Sequence, residues 1–369
     1  MTNPAEEIFE NCFSPDDKLS DLPSSAGLVL FADSQDTPIL LLAAANIRRI
    51  AKNKLAEKID KTKRADLKSI TAKIYYKIYP CKFRLALAHH KAVKKTFGQN
   101  YKDHIAFVWP AFIKIDFTEK IPFFSVTKKP VFNKGEKNLG PFPGQKAAAN
   151  FLKTLEDVYR LCKKCDLVNN PTQAASCPYL QMDTCCGVCG GKVSPEDYRV
   201  ITKDAFEAGA QPEKTIERLG ADMQTAAKDL NFEQADEIKR KIEKLSALKK
   251  QTYRWTGDLE KLKIVHIDKS VKIKPQDSKK KKQTYAVFVM SFFEIIDSGD
   301  FVIDETDKIA EAIENALALN ISQQGVGDSV EILEQFAIVS YFLYCTKPRG
   351  LWMDASRGFD REELLEFKI

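Results

Sequence analysis

Six of the nine cysteines in this 369-residue chain fall within residues 162–189, CKKCDLVNNPTQAASCPYLQMDTCCGVC. Cysteine is seldom concentrated in this way without a chemical reason, so the stretch implies either disulfides or a metal site. The first residues, MTNPAEEIFENC, are acidic and lack the apolar core of a secretory signal. The expectation is therefore a cytoplasmic, reducing environment, where metal–thiolate chemistry is favoured over disulfides. Cys165, Cys177, Cys185 and Cys189 follow one another at intervals of twelve, eight and four residues. That is not the paired CxxC arrangement of a zinc ribbon. Cys162 with Cys165, and Cys186 with Cys189, do form two CxxC pairs, and zinc held by those four is the rival assignment. Four thiolates suit zinc or an iron–sulfur cluster, and the residue chemistry leaves both open.

The segment CPYLQMDTCCGVCGGKVSPEDY adds a pattern to the composition. It resembles the cysteine-rich segment of the UvrC family of the excinuclease ABC system. The family's positions are met here by Cys177, Cys185, Cys189, Gly191, Val193, Ser194, Glu196 and Tyr198, with Cys165 twelve residues before the first of them. The resemblance implies a 4Fe-4S cluster on Cys165, Cys177, Cys185 and Cys189, with zinc as the alternative. Cys162 and Cys186 then become neighbours of the cluster rather than ligands.

With 44% hydrophobic and 29% charged residues the chain can bury two or three ordinary cores. It has no apolar run of the roughly 18 residues that a membrane helix needs. A net charge of +6 permits nucleic-acid binding without requiring it. The expected class is α+β, with six segments along the chain. Residues 1–23 are polar and expected to be a frayed or loosely docked tail. Residues 24–100 open with two strands, GLVLFAD (27–33) and PILLLAAA (38–45), joined by SQDT. A helix capped by Asn46 follows, then helical stretches over ADLKSITAKIYYKI and FRLALAHHKAVKKTF. This order resembles the GIY-YIG nuclease domain that opens UvrC proteins. The family's two tyrosines fall on Val29 and Leu40, its second glycine on Leu42, the following lysine on Ala43, its arginine on Ile50 and its metal-binding glutamate on His89; Asn46 does match. No carboxylate remains to hold Mg²⁺ and no phenol to handle protons, so a fold without its nuclease chemistry is expected. The His89–His90 pair is read as a surface or half-buried pair. Arg48, Arg49, Lys52, Lys94 and Lys95 are candidate DNA contacts, with Lys54 and Lys91 beside them.

Residues 101–161 alternate as strands, FIKIDF placing Ile113 and Ile115 opposite Lys114 and Asp116, then turn at GPFPG and enter a helix over 145–161. Residues 162–200 hold the cysteines and the start of a helix capped by Ser194 with Pro195 first. Residues 201–252 contain LGADMQTAAKDLNFEQADEIKRKIEKLSALKK, helically periodic on both sides of Leu230–Asn231. That pattern predicts an antiparallel helical hairpin of about three turns per arm. It is similar to the UVR motif shared by UvrB and UvrC. Met223, Leu230, Phe232, Ala235, Ile238 and Ile242 are the candidate partner-binding residues, with Phe232 expected to fill the bend as core. The implied partner is a UvrB-like protein or a second copy of the chain. Residues 253–369 suggest a β-meander with a lysine-rich tip at 277–283 and two helices, and LYCTKPRGLWMD (343–354) resembles the place where UvrC proteins reach a strand. In UvrC proteins an RNase H-like nuclease and helix-hairpin-helix repeats lie further along, and the expectation is a truncated relative without them.

The resemblance implies binding and assembly in nucleotide excision repair without incision. Two other classes compete. One is an active nuclease rearranged around His89, Arg48 and Asp116, and the other a redox or metal-sensing protein that uses the cysteine cluster itself.

Overall fold

The computed structural model describes residues 4–56, 66–164, 177–274, 280–302, 304–319, 329–347 and 349–365. The chain divides into two compact units. One comprises Met1–Val108, Ile264–Ile338 and Arg349–Ile369, the other Trp109–Lys263 and Val339–Pro348.

The first unit holds two four-stranded sheets. In the first, β1 (Asn11–Phe13), β2 (Gly27–Ala32), β3 (Pro38–Ala44) and β4 (Lys73–Ile78) lie in the order β1-β4-β2-β3, all antiparallel. Every residue of β2 is buried, because helices cover both of its faces. Leu28 and Leu30 meet Leu85, Ala92 and Val93 of α4 (Lys82–Phe97). Val29 and Phe31 meet Ile47, Ala51 and Leu55 of α2 (Ile47–Ala56). A strand covered on both sides loses the polar alternation of a half-exposed one, which is why GLVLFA is apolar throughout. Asp33 shapes the β2–β3 turn by accepting the backbone N–H groups of Gln35 and Thr37, both at 2.8 Å. Asn46 caps α2 by accepting the Arg49 N–H at 2.8 Å.

Two expectations fail in this sheet. The N-terminal residues form α1 (Pro4–Ile8) and β1, and they bury Ala5, Phe9 and Leu22. Burial of these few apolar side chains docks a stretch that reads as polar overall. The second correction is ADLKSITAKIYYKI, expected to be helical. It gives one short helix, α3 (Leu67–Ile70), and then β4. Ile74, Tyr75 and Tyr76 are β-branched or aromatic, and the slot between β1 and β2 satisfies the backbone of β4 on both edges.

The second sheet has the order β11-β10-β9-β12, from β9 (Lys263–Ile273), β10 (Lys282–Ser291), β11 (Ile295–Val302) and β12 (Leu351–Asp354). The expected meander is present; residues 275–279 of its lysine-rich tip lie outside the described residues. One sheet face packs on two helices, through Ile309 and Ile313 of one and Leu364 of the other. On the opposite face Phe83 of α4 meets His266, Phe288 and Trp352 edge-on. The His266 ring stacks on Trp352 at 3.7 Å, and its Nδ1–H donates to the Leu351 carbonyl at 3.0 Å.

The second unit is built on the sheet β6-β5-β7-β8, from β5 (Ala111–Asp116), β6 (Ser125–Thr127), β7 (Glu136–Phe142) and β8 (Gly257–Asp258). Ile113 and Ile115 are buried while Lys114 and Asp116 are half-exposed, as the alternation predicts. The expected turn at GPFPG starts later, since Gly140, Pro141 and Phe142 continue β7. Phe142 is buried there against Phe151 of α5 (Gln145–Tyr159). After α6 (Pro178–Gln181) comes α7 (Pro195–Ala210), capped by Ser194, whose hydroxyl accepts the Asp197 N–H at 3.0 Å. Its Gly209 lies so close to the sheet that a Cβ would sit 2.7 Å from Leu139. Then α8 (Pro212–Lys228) and α9 (Phe232–Ser246) form the predicted hairpin. The first arm is longer than the motif suggests, because Pro212 starts it seven residues before Leu219. The remaining helices are α10 (Thr306–Ala318), α11 (Ser329–Tyr344) and α12 (Arg361–Leu365). Among the described residues no helix is long and apolar enough to cross a membrane.

Burial pushes the His266 imidazolium pKa down to about 3. The folded chain therefore binds fewer protons at this site than the unfolded chain between pH about 3 and the ordinary histidine value. Stability from neutral His266 is complete above pH about 6.5 and is lost as pH falls toward 3, by several kcal/mol at the acid limit. Denaturant unfolding across this range, followed by near-ultraviolet circular dichroism, should show that loss, and His266→Phe should flatten it.

Candidate functional site

Two elements of the second unit carry the residues that sequence reasoning singles out. The first is the cysteine segment. Helix α5 ends at Arg160 in the left-handed conformation (φ 50°), and the Arg160 carbonyl accepts the Cys186 N–H at 2.7 Å. The Cys162 N–H donates to the buried Tyr198 hydroxyl at 3.2 Å. Two left-handed glycines, Gly187 (φ 76°) and Gly191 (φ 74°), bracket a single 3₁₀ turn that contains Cys189. Non-glycine residues are strained in that backbone conformation, so the pair fixes where the chain can turn. The result buries Cys177, Cys185 and Cys189 to 3%, 2% and 7% exposure. Burial raises the Cys185 thiol pKa, the Gly187 N–H opposes the rise, and Cys177 and Cys189 add to it. Burial likewise pushes Cys162 up to about 12, with further contributions from Cys189, Cys185 and Cys186.

At Cys162 and Cys185 burial thus disfavours the thiolate, which a bound cation would favour. Their chemistry fits a soft metal or an iron–sulfur cluster. Their geometry goes less far. Among the described residues no three cysteine, histidine or acidic side chains converge as a metal-holding group. Cys165, the fourth expected ligand, lies outside the described residues. A cleft of about 1050 Å³ runs between the Cys189–Ser194 turn and the outward side chains Lys114 and Asp116 of β5.

The second element is the hairpin. Its root is buried: Leu245 and Leu248 join the core of Ile113, Phe142 and Phe151, with Ile216 and Leu219 packed alongside. Its tip is not. Leu230 is 74% exposed and Phe232 64% exposed, which overturns the expectation that Phe232 is core. Ala226 and Ile238 fill the crossing; Met223, Ala235 and Ile242 are only half-buried. The bend is a Schellman turn. Asn231 N–H reaches the Ala226 carbonyl at 2.9 Å, and Leu230 N–H reaches that of Ala227 at 3.2 Å. Glycine usually occupies the left-handed position of such a turn. Here it is Leu230, at φ 59°, at a cost of roughly 1–2 kcal/mol for a residue with a Cβ. Asn231 then caps α9 through the Gln234 N–H at 3.3 Å. An apolar side chain that is both strained and solvated contributes nothing to the hairpin's own stability. Sequence periodicity marks these residues as an apolar face but does not say what covers it.

Among the described residues the first unit does not bring the candidate site residues together. The positions aligned with the nuclease chemistry are part of apolar clusters: Val29 is fully buried, and Leu40, Leu42 and Ile50 pack around it. Arg48, Arg49 and Lys52 lie on α2, whereas Lys94 and Lys95 lie on α4 across the sheet, so the five do not form one basic patch. Arg48 donates to the Leu22 carbonyl at 2.7 Å, Lys94 pairs with Glu331 at 3.0 Å, and Lys95 pairs with Glu7. His89 sits on α4, separated from Arg48 by the same sheet, and Asp116 belongs to the other unit, where Thr118 binds its carboxylate. The rearranged-nuclease constellation is therefore not brought together within the first unit. His90 departs from its expected surface or half-buried place. It is fully buried, with Nε2 2.9 Å from Glu334, and Tyr101 donates to the other oxygen of that carboxylate. An acid set inside the apolar run of SVEILEQFAIVSYFLY, one turn after Glu331, was the available signal for this partner.

Comparison with known proteins agrees with the second unit. Residues 111–208 match the UvrC/Cho excinuclease, middle domain, and residues 213–248 match the UvrB/uvrC motif. The chain is 30% identical over 157 residues to the UvrABC system protein C of Nautilia profundicola, covering 42% of this chain and 25% of that protein. The corresponding protein of Methanothermobacter thermautotrophicus is 26% identical over 228 residues, which is 61% of this chain and 37% of its own. The chain thus spans between a quarter and two fifths of these relatives' length. No solved structure matches. The relationship to the UvrC family is carried by residues 111–248, the sheet, cysteine segment and hairpin described above.

Because Phe232 is exposed, Phe232→Ala should change unfolding free energy by no more than about 0.5 kcal/mol. Phe151→Ala, in the core, should cost about 3–5 kcal/mol. Chemical denaturation of both variants checks the contrast, and a large loss in Phe232→Ala would show that the tip is packed in the free protein.

Proposed function

We propose that this chain is a UvrC-related assembly protein of nucleotide excision repair. It docks a partner bearing a UvrB/uvrC motif through the tip of the α8–α9 hairpin, acts on DNA through that assembly, and does not itself incise. The observation that carries this reading is the tip itself: Leu230 strained and 74% exposed, Phe232 64% exposed, both within the matched motif. Apolar groups kept in water at a conformational cost find their compensation in a complex. A second copy of the chain is the alternative occupant, since an identical tip has the same apolar character.

In this reading residues 24–100 keep a GIY-YIG-like arrangement, supported by the β2–β3 hairpin followed by α2, and the apolar residues at its catalytic positions leave it without chemistry. Cys165, Cys177, Cys185 and Cys189 hold a 4Fe-4S cluster, with zinc as the alternative metal. When bound, the group would supply a cross-link tying the turns that carry these thiols. The chain's own contribution is to bury Cys177, Cys185 and Cys189 and to anchor the segment through Tyr198 and Arg160.

Leu230→Gly relieves the left-handed strain and should leave the fold as stable or up to about 1 kcal/mol more so. The same substitution, and Phe232→Ala, should weaken binding to a UvrB/uvrC-motif protein at least tenfold in titration calorimetry. Unchanged affinity in both variants would remove the docking role. For the cysteines, anaerobically purified protein should absorb broadly in the visible and lose that colour in Cys185→Ser. A colourless protein carrying one zinc per chain would assign zinc instead.

A further inference from the structure

The first sheet leaves one long edge. With the order β1-β4-β2-β3, the sheet ends at β3 on one side and at the three-residue β1 on the other. β3 is seven residues long, PILLLAA, and no residue from Pro38 to Ala45 is charged. Edge strands of soluble proteins are normally blunted by charges, short length or bulges. Here only the start of β3 is protected, by Pro38 and by the register shift at Phe31/Ala32. Among the described residues, those from Ile39 to Ala45 make no main-chain hydrogen bond other than within the sheet. His89 of α4 hydrogen-bonds to the Leu41 backbone. Ile39, Leu40 and Leu42 are half-exposed and Ala43 is exposed.

We propose that β3 pairs antiparallel with β3 of a second copy of this chain, joining two four-stranded sheets across a twofold axis. Charge selects this occupant and orientation. The strand is preceded by an acidic turn with Asp33 and Asp36, and followed by Arg48 and Arg49 in the first turn of α2. Antiparallel pairing of two copies sets the acidic end of each strand beside the basic end of the other. Parallel pairing would set acid on acid and base on base. Asp36 is already paired with the Lys73 cation and Tyr75, whereas the Asp33 carboxylate accepts neutral N–H groups of its turn and keeps its charge for the exposed Arg49. An isologous contact of this kind needs no second surface, and main-chain bonds supply its affinity.

The test is sedimentation equilibrium of the full chain over a concentration series. The wild-type chain should pass from monomer to dimer. Ala43→Lys, at an exposed position, and Arg49→Glu should each weaken the dimer at least tenfold, while Leu230→Gly with Phe232→Ala should leave it unchanged. That last arm separates the edge from self-association through the hairpin. Hydrogen exchange gives a second readout that needs no variant: β3 amides should gain protection as concentration rises. Three results would overturn the proposal. They are a monomer throughout the range, a dimer lost only with the hairpin variants, and β3 amides protected equally at all concentrations in a monomer, which would mean that another extended peptide covers the edge.

Discussion

Phe142 on β7, Phe151 on α5 and Tyr253 beyond the hairpin meet with ring centroids 5.0, 5.1 and 6.1 Å apart. Each ring comes from a different layer of the second unit, and each meets the others edge-on, the arrangement aromatic quadrupoles favour. The sheet, the helix that delivers the chain to the cysteines, and the exit of the hairpin are thereby fixed to one another. The rest follows from that anchorage. With Leu245 and Leu248 committed to the same core, the hairpin is held by its root and its bend must project. With α5 fixed, its left-handed end at Arg160 determines where the cysteine segment starts.

How far the sequence reaches is visible in particular residues. The alternation of Ile113, Lys114, Ile115 and Asp116, the caps at Asn46 and Ser194, and the break before Asn231 are local signals backed by local physics, and the structure agrees with each. The failures share a cause of the opposite kind. The stretch containing Tyr75 has apolar spacing compatible with a helix, and only the vacant slot between β1 and β2 makes it a strand. Phe232 belongs to an apolar face, yet what covers such a face is a matter of tertiary or quaternary contact. Five basic residues in two short stretches read as candidate DNA contacts, but a sheet lies between the two helices that carry them. Spacing alone likewise leaves the cysteine ligand set undivided, since burial and convergence are properties of the folded loop.

The two units also differ in how they treat polar groups. In the second, burial raises the Cys162, Cys185 and Cys186 thiols, so any cation bound there would have to displace their protons. In the first, Val29 is fully buried, and Leu40, Leu42 and Ile50 pack in the same apolar cluster.

The buried contact of Glu334 with His90 and Tyr101 has a bearing on α11 that packing alone could not supply. Glu331 and Gln335 keep the half-exposed side of this helix polar, while Phe336, Ala337 and Ile338 beside Glu334 are buried, and apolar packing on that side discriminates only weakly between small rotations of the helix. A slip of one residue turns a helix by about 100°, enough to carry the carboxylate away from both of its partners and strand it in an apolar setting. The acid therefore serves as an angular index, converting a helix that could roll into one with a single permitted setting.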